Sequence, residues 1–437
     1  KGQDSVEVKN AVGETVAIFD SLCGKTEFRY DAIGNLIEVT GPDQSTVRNE
    51  YDLAGRKVAS DDPDKGYWQY SWNPLGELTR QLDAMKQATD FEYDSMGRIT
   101  HRRELSNVSS LQDLVYTIEN HEETRWNNGN SVGETGKAQA SYVIYQAGEA
   151  GEIVHRKDFS YDAFGRVAQV VSEQSGMTFS EQTTFDQFGR IFQAFDASGD
   201  YRGVKYSYNT YGYLINMRES RDGVNGLIFH EILAMDERGN VTHARLGNGV
   251  ETFASYDSSS GRLLKQEAYD VAGREVQALH YEFDAIGNLS QRQDLSAGKN
   301  LTEQFQFDDL NRLTRVQLTA PAHGFSTPIE TLGLTYDQGG NITWKSDVGS
   351  YLYGQGGAGP HAVTSAGGMS YGYDANGNQV SGDGRTIRYS QFDKVVSIER
   401  SGQSTAFDYG IAHRRIERTD KLVTGEVVST HYLGSVE

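Results

Sequence analysis

The stretch FEYDSMGRI, residues 91–99, contains the pattern that decides the fold. Phe91 and Tyr93 alternate with a polar residue, which is typical of a strand with one covered face. Asp94 suits the first position of a type I turn, where its carboxylate accepts backbone hydrogen bonds. Gly97 can adopt the left-handed conformation that closes a short hairpin loop with a bulge. The stretch therefore predicts a strand, a tight turn and the start of a return strand.

The same pattern, an aromatic residue, Asp or Asn, two further residues and Gly, recurs along the chain. It occurs twelve times, with its aromatic residue at Tyr30, Tyr51, Trp72, Tyr93, Tyr161, Phe185, Phe195, Tyr208, Tyr269, Phe283, Tyr336 and Tyr373. Near-copies lie at Met235, Tyr256 and Phe307. The first four copies are 21 residues apart, a period that accommodates one hairpin of two strands and two turns. Each repeat is therefore expected to add one hairpin to a growing sheet.

We expect the turn residues of these repeats to be structural, not catalytic. The clearest copies are Tyr30, Asp31, Gly34; Tyr51, Asp52, Gly55; Tyr93, Asp94, Gly97; Tyr161, Asp162, Gly165; Phe283, Asp284, Gly287; and Tyr373, Asp374, Gly377. In each of them Asp caps a turn and Gly supplies the left-handed backbone.

The third turn position is often apolar, which bears on the architecture. The residues are Ile33, Leu75, Met96, Phe164, Phe188, Tyr211, Ile286 and Leu310. Isolated hairpins would expose all of these side chains and create a long adhesive edge. We therefore predict that the tips pack on neighbouring repeats, as they would in a coiled, solenoid-like sheet.

The composition favours an all-β fold over ordinary compact domains. Of 437 residues, 37% are hydrophobic, and the chain has 48 Gly, 6 Pro, 25 Tyr and 18 Phe. The aliphatic content is low for a compact globule, whereas the aromatic content and the regular alternation argue against disorder. An extended sheet that is hydrated on much of both faces satisfies both observations.

The repeats divide one array, residues 1–437, into four segments. Residues 1–103 hold the regular 21-residue repeats, 104–158 are divergent, 159–343 hold looser repeats, and 344–437 hold a Gly-rich interruption and the terminal repeats. Residues 105–120 are compatible with a short helix or with irregular strands, and residues 126–130 with a tight turn. The amino terminus has neither an initiator Met nor a signal-peptide core, so the sequence is interpreted as a piece of a longer protein.

Charge and composition argue against nucleic-acid binding, a transmembrane helix and internal disulfides. The net charge is −20, whereas nucleic-acid binding requires a basic footprint. No apolar run is long enough for a transmembrane helix. The single cysteine, Cys23, excludes internal disulfides and is interpreted as a buried or unused thiol.

Several short motifs resemble reactive or binding sites, but each is better explained by structure. Residues 354–359 fit a dinucleotide-binding string and residues 368–372 a nucleophile-elbow string, yet neither is followed by the helix that such a site needs. The acidic residues 61–64 are interpreted as a solvated turn and not as a calcium site. The ten histidines form no metal-binding pattern. We therefore expect no catalytic residue, no cofactor and no metal site.

The strings at 93–98, 161–166 and 283–288 resemble RHS/YD repeats. The segment 359–364, followed by 373–378, further resembles bacterial Rhs proteins and the C components of insecticidal toxin complexes. This resemblance implies a long sheet that spirals into a hollow shell around a C-terminal toxin, which is released after self-cleavage. The implied partners are the enclosed toxin domain, other shell segments of the full-length protein and a component of a delivery system.

The resemblance also implies that the protein is secreted by a bacterium as part of a larger toxin. One departure matters, because the Asp- and Pro-rich autoproteolytic string of that family (DP-x-G-x-x-D-G) does not occur in this sequence. This chain is therefore expected to form wall and neither to cleave itself nor to act as a poison.

Two alternatives remain open from the sequence. YD shells also occur in teneurin-like cell-surface proteins, and a surface rich in Tyr and Asn is suited to bind sugars or proteins. A single cysteine favours the bacterial interpretation. An enzyme hidden in residues 104–158 is the other alternative, but no group of reactive residues supports it.

Overall fold

The computed structural model describes residues 4–127, 139–149, 151–198, 202–221, 224–321, 324–434 and 436. These residues form 37 β-strands and three single turns of 3-10 helix, at Ser296–Gly298, Gln355–Gly357 and Ile411–His413. The described ranges contain no α-helix. The all-β fold class is therefore confirmed.

The strands, numbered in chain order, are short and closely spaced. The first thirteen are β1 Val6–Lys9, β2 Thr15–Phe19, β3 Lys25–Tyr30, β4 Leu36–Thr40, β5 Thr46–Tyr51, β6 Lys57–Asp62, β7 Gly66–Trp72, β8 Leu78–Leu82, β9 Ala88–Tyr93, β10 Ile99–Ser106, β11 Thr117–Asn127, β12 Gln139–Ala147 and β13 Ile153–Tyr161. The next thirteen are β14 Val167–Gln174, β15 Met177–Phe185, β16 Ile191–Phe195, β17 Gly203–Tyr208, β18 Leu214–Arg221, β19 Val224–Met235, β20 Val241–Leu246, β21 Glu251–Tyr256, β22 Leu263–Tyr269, β23 Glu275–Phe283, β24 Leu289–Asp294, β25 Leu301–Phe307 and β26 Leu313–Ala320. The last eleven are β27 Phe325–Tyr336, β28 Ile342–Lys345, β29 Gly349–Tyr353, β30 Val363–Ala366, β31 Met369–Tyr373, β32 Gln379–Gly382, β33 Arg385–Tyr389, β34 Val395–Arg400, β35 Gln403–Tyr409, β36 Arg415–Lys421 and β37 Val427–His431.

The strands form one antiparallel meander. Each strand pairs with the strand before it and the strand after it in sequence, from β1 to β37. Because consecutive strands run in opposite directions, alternate turns lie at opposite edges of the sheet. The repeat turns of residues 31–34, 52–55, 73–76 and 94–97 therefore share one edge, and the turns between these repeats share the other.

The turn at Asp94 shows how each hairpin closes. Asp94 N donates to Arg98 O at 3.0 Å, and Gly97 N donates to Asp94 O at 3.0 Å. The pairing register shifts next to this turn, between Ile99 and His101, which places the bulge where the sequence predicts it. Gly97 has φ +76°, the left-handed conformation that a residue with a side chain adopts only at a cost.

The divergent segment continues the same sheet. Strand β10 ends at Ser106 and β11 begins at Thr117, so residues 105–120 form two strand ends and a loop instead of a helix. The loop covers a small core of Leu82, Ala88, Leu105 and Val108, against which three further residues of the loop and β11 pack, Leu111, Tyr116 and Ile118. Most of the predicted turn at residues 126–130 lies outside the described residues.

The sheet turns back on itself after about two thirds of its length. Ser21 Oγ donates to the carbonyl of Asp309, 288 residues away, and Met85 N donates to Asn376 Oδ1, 291 residues away. Further along, Ala412 N donates to Glu122 Oε2, 290 residues away. Both partners advance together along the chain, so the two layers run in the same direction, as in a coil. We call strands β2–β15 the first tier, strands β25–β37 the second tier, and the contact between them the seam.

Replacing Gly97 with Val tests the turn conformation. The added side chain has to adopt a left-handed backbone, and its Cβ would lie 3.0 Å from Glu77 Oε1. We expect a loss of about 1–2 kcal/mol of unfolding free energy, measured by chemical denaturation. Gly97→Asn is the matched control, because Asn tolerates this backbone, and it should lose less. Equal stability of Gly97→Val and the unchanged chain would contradict the turn.

Candidate functional site at the turns and the seam

The Asp of each repeat organises its turn through both carboxylate oxygens. In the turn at Asp94, Oδ1 accepts from Met96 N at 2.9 Å and Arg98 N at 3.1 Å, and Oδ2 accepts from Arg98 Nε at 2.7 Å. The hydrogen bond from Arg98 is the largest cause that lowers the pKa of Asp94. Since both oxygens are occupied, this carboxylate is committed to the turn.

The same arrangement recurs in the other clear copies. The residue after the turn Gly is Arg or Asn, and its side chain returns to the carboxylate of the turn Asp. The pairs are Asn35 with Asp31, Arg56 with Asp52, Arg166 with Asp162, Asn288 with Asp284 and Asn378 with Asp374. The structure therefore places all of the predicted turn carboxylates in the same local role.

Arginines of this type also join one repeat to the next. The guanidinium of Arg166 lies 4.0 Å from the ring centroid of Phe185, the aromatic residue of the following repeat, and Arg190 stacks on Tyr208 at 4.3 Å. Arg312 stacks on Tyr336 at 4.6 Å. Such cation–π contacts are worth about 0.5–1 kcal/mol at exposed sites. Each arginine thus links its own turn Asp to the neighbouring hairpin.

The tyrosine of the repeat forms a second link, through its hydroxyl group. Tyr51 OH donates to the carbonyl of Leu36 at 3.1 Å, and Tyr93 OH donates to that of Leu78 at 2.8 Å. In both cases the acceptor is the first residue of the preceding strand. The same bond is made by Tyr30, Tyr208, Tyr256, Tyr336, Tyr353, Tyr373, Tyr389 and Tyr409, by Tyr161 to the second residue of its strand, and by the indoles of Trp72 and Trp126.

The sequence contained a signal for both links. Arg or Asn follows the turn Gly in most copies, and the aromatic position holds Tyr more often than Phe. Phe283 shows the difference, because it has no hydroxyl group and is only stacked by Arg262 at 5.7 Å. The partners of these Tyr and Arg side chains depend on the register between neighbouring strands, which the repeat pattern alone does not define.

The predicted packing of the turn tips is wrong for seven of the eight residues. Ile33, Leu75, Met96, Phe164, Phe188, Tyr211 and Ile286 are between 43% and 85% exposed, whereas Leu310 is half-buried. The difference in exposure follows from the edge of the sheet, and the tier, to which each turn belongs. The first seven lie in turns that precede the second tier, and we call this exposed edge the free rim. Leu310 lies in a second-tier turn, which meets the first tier at the seam.

In the turn at Asp374, which lies within the seam, the third position is buried and polar. Asn376, which corresponds to Met96 in its repeat, is 8% exposed. Its Nδ2 donates to Asp83 Oδ2 at 2.7 Å and its Oδ1 accepts from Met85 N at 3.1 Å. Burial raises the pKa of Asp83, which is 3% exposed. Gln87 N donates to Oδ1 of the same carboxylate at 2.7 Å, so Asn376 supplies the hydrogen bond that its buried Oδ2 requires.

A second seam contact involves the acidic turn at residues 61–64 and the Gly-rich segment. His361 Nδ1 lies 2.6 Å from Asp64 Oδ2, and His361 Nε2 lies 3.2 Å from Asp43 Oδ2. Gly359 approaches so closely that a Cβ there would lie 2.3 Å from Asp64 Oδ1. The sequence analysis interprets residues 61–64 as a solvated turn. Asp64 instead belongs to a contact between the two tiers.

The third seam contact lies on strands β10–β14. The loop Ile411–His413 docks there, with Ala412 N donating to Glu122 Oε2 at 2.8 Å and His413 Nε2 contacting Glu104 Oε1. Glu104 is 1% exposed and also accepts from Asn120 Nδ2 at 3.0 Å and from Tyr145 OH at 3.2 Å. The pKa of the Tyr145 phenol is raised, chiefly by burial and also by the charge of Glu104 next to it.

The remaining motifs have structural positions. Residues 354–359 form a tight loop with a single 3-10 turn, and Ser370 lies inside β31, paired with Ser365. Cys23 is exposed, so of the two expectations for it, a buried or an unused thiol, burial is wrong. Within the described ranges, no three His, Cys, Asp or Glu side chains are grouped so as to hold a metal ion. The same ranges contain no helix with the length and apolarity that a membrane span requires.

Comparison with known proteins gives matches of two kinds. Residues 240–433 match the family model of the teneurin YD-shell, and residues 30–66 match that of the RHS repeat. A double-stranded DNA deaminase toxin A of Burkholderia cenocepacia is 24% identical over 274 residues, which are 55% of this chain and 18% of that protein.

Solved structures of toxin complexes share the fold over nearly the whole chain. A crystal structure of TcdB2-TccC3-Cdc42 matches with a TM-score of 0.78 and 16% identity, over 99% of this chain and 24% of that one. The Tc holotoxin pore of Photorhabdus luminescens matches with a TM-score of 0.73 and 15% identity, over the same shares. The chain thus spans about a quarter or less of the length of the relatives described here.

Replacing Arg312 with Met tests the link between repeats. The change removes the ion pair with Asp308, the stacking on Tyr336 and the bond from Nη1 to the carbonyl of Asp337. We expect a loss of about 1–2 kcal/mol of unfolding free energy in chemical denaturation. Arg274→Met is the matched control, since Arg274 pairs with Asp270 but is 79% exposed, and it should change stability by about 0.5 kcal/mol or less. Equal losses in the two variants would contradict a stabilising role of the stacking.

Proposed function

We propose that this chain, an RHS/YD-repeat protein with the fold of a toxin-complex shell, forms part of the wall of a container that encloses the C-terminal effector of a secreted bacterial toxin. The observation that carries the proposal is the seam. A sheet that returns to itself after about 290 residues and bonds there through buried polar groups has the geometry of a closed wall. The structural likeness to toxin complexes and the match to a toxin of Burkholderia cenocepacia support it.

Other shell segments are the partners that the free rim fits. At the seam, second-tier turns meet first-tier turns of the opposite edge, for example Asn376 with Asp83. The free rim presents the same kind of turn, with apolar tips such as Leu75 and Phe164 that are 81% and 73% exposed. A further layer of YD-repeat sheet would cover these side chains by the contact that the seam already uses.

The chain acts as a wall and not as an enzyme in this proposal. The turn carboxylates are occupied by their own turns, as at Asp94 and Asp162. The family models that match describe a shell and a repeat. The effector inside would therefore supply the toxic activity, and a delivery-system component would supply entry into the target.

A recognition module is the second candidate. The match of residues 240–433 to the teneurin YD-shell favours it, because the same wall can present a binding surface. The part of the sheet in question carries exposed aromatic residues, such as Phe253 and Trp344, that are able to stack on sugar rings. Specific binding of a glycan at micromolar concentration, or tighter, by the purified chain would favour this candidate.

Limited proteolysis of the full-length protein tests encapsulation. The C-terminal effector should be cleaved at least about tenfold more slowly inside the full-length protein than in isolation, because a closed wall excludes the protease. Asn376→Ala, which leaves Oδ2 of the buried Asp83 without the hydrogen bond from Asn376, should open the seam and accelerate cleavage.

Met96→Ala is the matched control, because it changes the equivalent turn position on the free rim, and protection of the effector should persist. Equal cleavage rates for the enclosed and the isolated effector would refute encapsulation. Equal protection in Asn376→Ala and in the unchanged protein would show that the seam does not close the wall.

A further inference from the structure

The ring of His361 is held between two carboxylates of the first tier. Its Nδ1 lies 2.6 Å from Asp64 Oδ2 and its Nε2 lies 3.2 Å from Asp43 Oδ2. The backbone N–H of His361 also donates to Asp64 Oδ1 at 3.0 Å. A neutral imidazole carries one N–H, so only the imidazolium donates to both carboxylates at once. This contact, which lies towards one end of the seam, is therefore complete only when His361 is protonated.

The charges around His361 all favour its protonated form. The hydrogen bond to Asp64 is the largest cause that raises the pKa of His361, and the negative charges of Asp64, Asp43 and Asp337 add to it. Asp43 and Asp64 belong to first-tier turns, while Asp337 belongs to the second tier. If the proton is lost, a neutral ring faces carboxylates with one donor too few, and the negative charges of the turns repel one another.

A contact towards the other end of the seam has the opposite requirement. His155 on β13 is 3% exposed, and its Nδ1 accepts a hydrogen bond from Ile411 N at 3.3 Å. A ring nitrogen that accepts carries no proton, so His155 must be neutral for the loop Ile411–His413 to dock in this way. Burial lowers the pKa of His155 to about 4, and the charge of Lys157 on the same strand contributes.

The ionisable groups near this second contact lie on several strands and on the loop. They are Arg102 and Glu104 on β10, Glu122 on β11, Tyr145 on β12, Lys157 on β13, and His413 and Arg414 beside the docked turn. The two glutamates accept from the loop itself, through Ala412 N and His413 Nε2. Lys157 is the group that acts on His155 directly, and its positive charge opposes protonation.

We propose that the seam responds to pH in opposite directions at two of its contacts, one towards each end. Loss of the proton from His361 loosens the turn at residues 359–361, whereas protonation of His155 loosens the loop Ile411–His413. A container with such a seam loosens first at residues 359–361 in alkali and first at the loop Ile411–His413 in acid.

The direction of each pH response follows from the protonation state that each of the two contacts needs. A free imidazole titrates near about pH 6.5. Because docking raises the pKa of His361, its contribution is complete below about pH 6.5 and is lost as the pH rises through the raised value. Because docking lowers the pKa of His155 to about 4, its contribution is complete above about pH 6.5 and is lost as the pH falls towards about 4. Both ends are therefore closed together near about pH 6.5.

Hydrogen exchange of this chain, measured by mass spectrometry at about pH 5, about pH 6.5 and about pH 9 and corrected for intrinsic rates, tests the proposal. Peptides that contain residues 359–361 should lose protection on the alkaline side. Peptides that contain residues 411–413 should lose it on the acid side, with a change in the docking equilibrium of roughly ten- to thirtyfold at about pH 5.

Substitutions that fix the protonation state provide the decisive comparison. His155→Asn keeps an acceptor near the position of Nδ1 and does not titrate, so loosening in acid should disappear. His361→Arg stays charged and can reach both carboxylates, so loosening in alkali should disappear. His361→Asn is neutral, and its turn should be loose at every pH. His280→Asn on β23, outside the seam, is the control and should retain both responses.

Two results would overturn the proposal. One is a loss of protection in the same direction of pH at both ends. The other is a pH response that persists unchanged in His155→Asn or in His361→Arg. The measurement needs no effector, so its failure is distinguishable from a failure of encapsulation.

Discussion

The structure depends on a carboxylate that closes each hairpin from within. In the turn at Asp94, one oxygen accepts two backbone N–H groups, and the other accepts the side chain of Arg98. The turn is thus fixed by residues within five positions of one another, before any tertiary contact forms. Because hairpins are closed locally and joined to their neighbours by Tyr hydroxyl and Arg contacts, the sheet extends over 37 strands with only small clusters of buried apolar residues.

Repetition of one unit gives the sheet its large-scale shape. Strands in a sheet rotate relative to one another in a constant sense, and equal hairpins accumulate that rotation until the sheet meets itself. The same turn position then has two environments. Met96 on the free rim is 67% exposed, whereas Asn376 at the seam is 8% exposed. At position 376 the residue type follows the environment, because a buried seam contact with Asp83 needs a polar partner.

The sequence was sufficient for the local structure and insufficient for the seam. Phe91, Tyr93, Asp94 and Gly97 define strand and turn through interactions within nine residues, so the meander could be derived from their repetition. The contact of His361 with Asp64 joins residues 297 positions apart, and its register depends on rotation summed over more than twenty strands. The error about the turn tips has the same origin, since no pattern within one repeat tells whether its edge faces another tier.

Residues that meet across the seam are about 290 positions apart in the chain. Chemical cross-linking tests this arrangement most directly. Cys23 is exposed in the β2–β3 turn, two residues from Ser21, which bonds to Asp309. A short bis-maleimide should link Cys23 to the new thiol of Asp309→Cys within one molecule, detected by peptide mass spectrometry at dilute protein. It should not link Cys23 to the new thiol of Ile286→Cys, which lies on the free rim. No link to position 309, or an equal yield at position 286, would contradict the coiled arrangement.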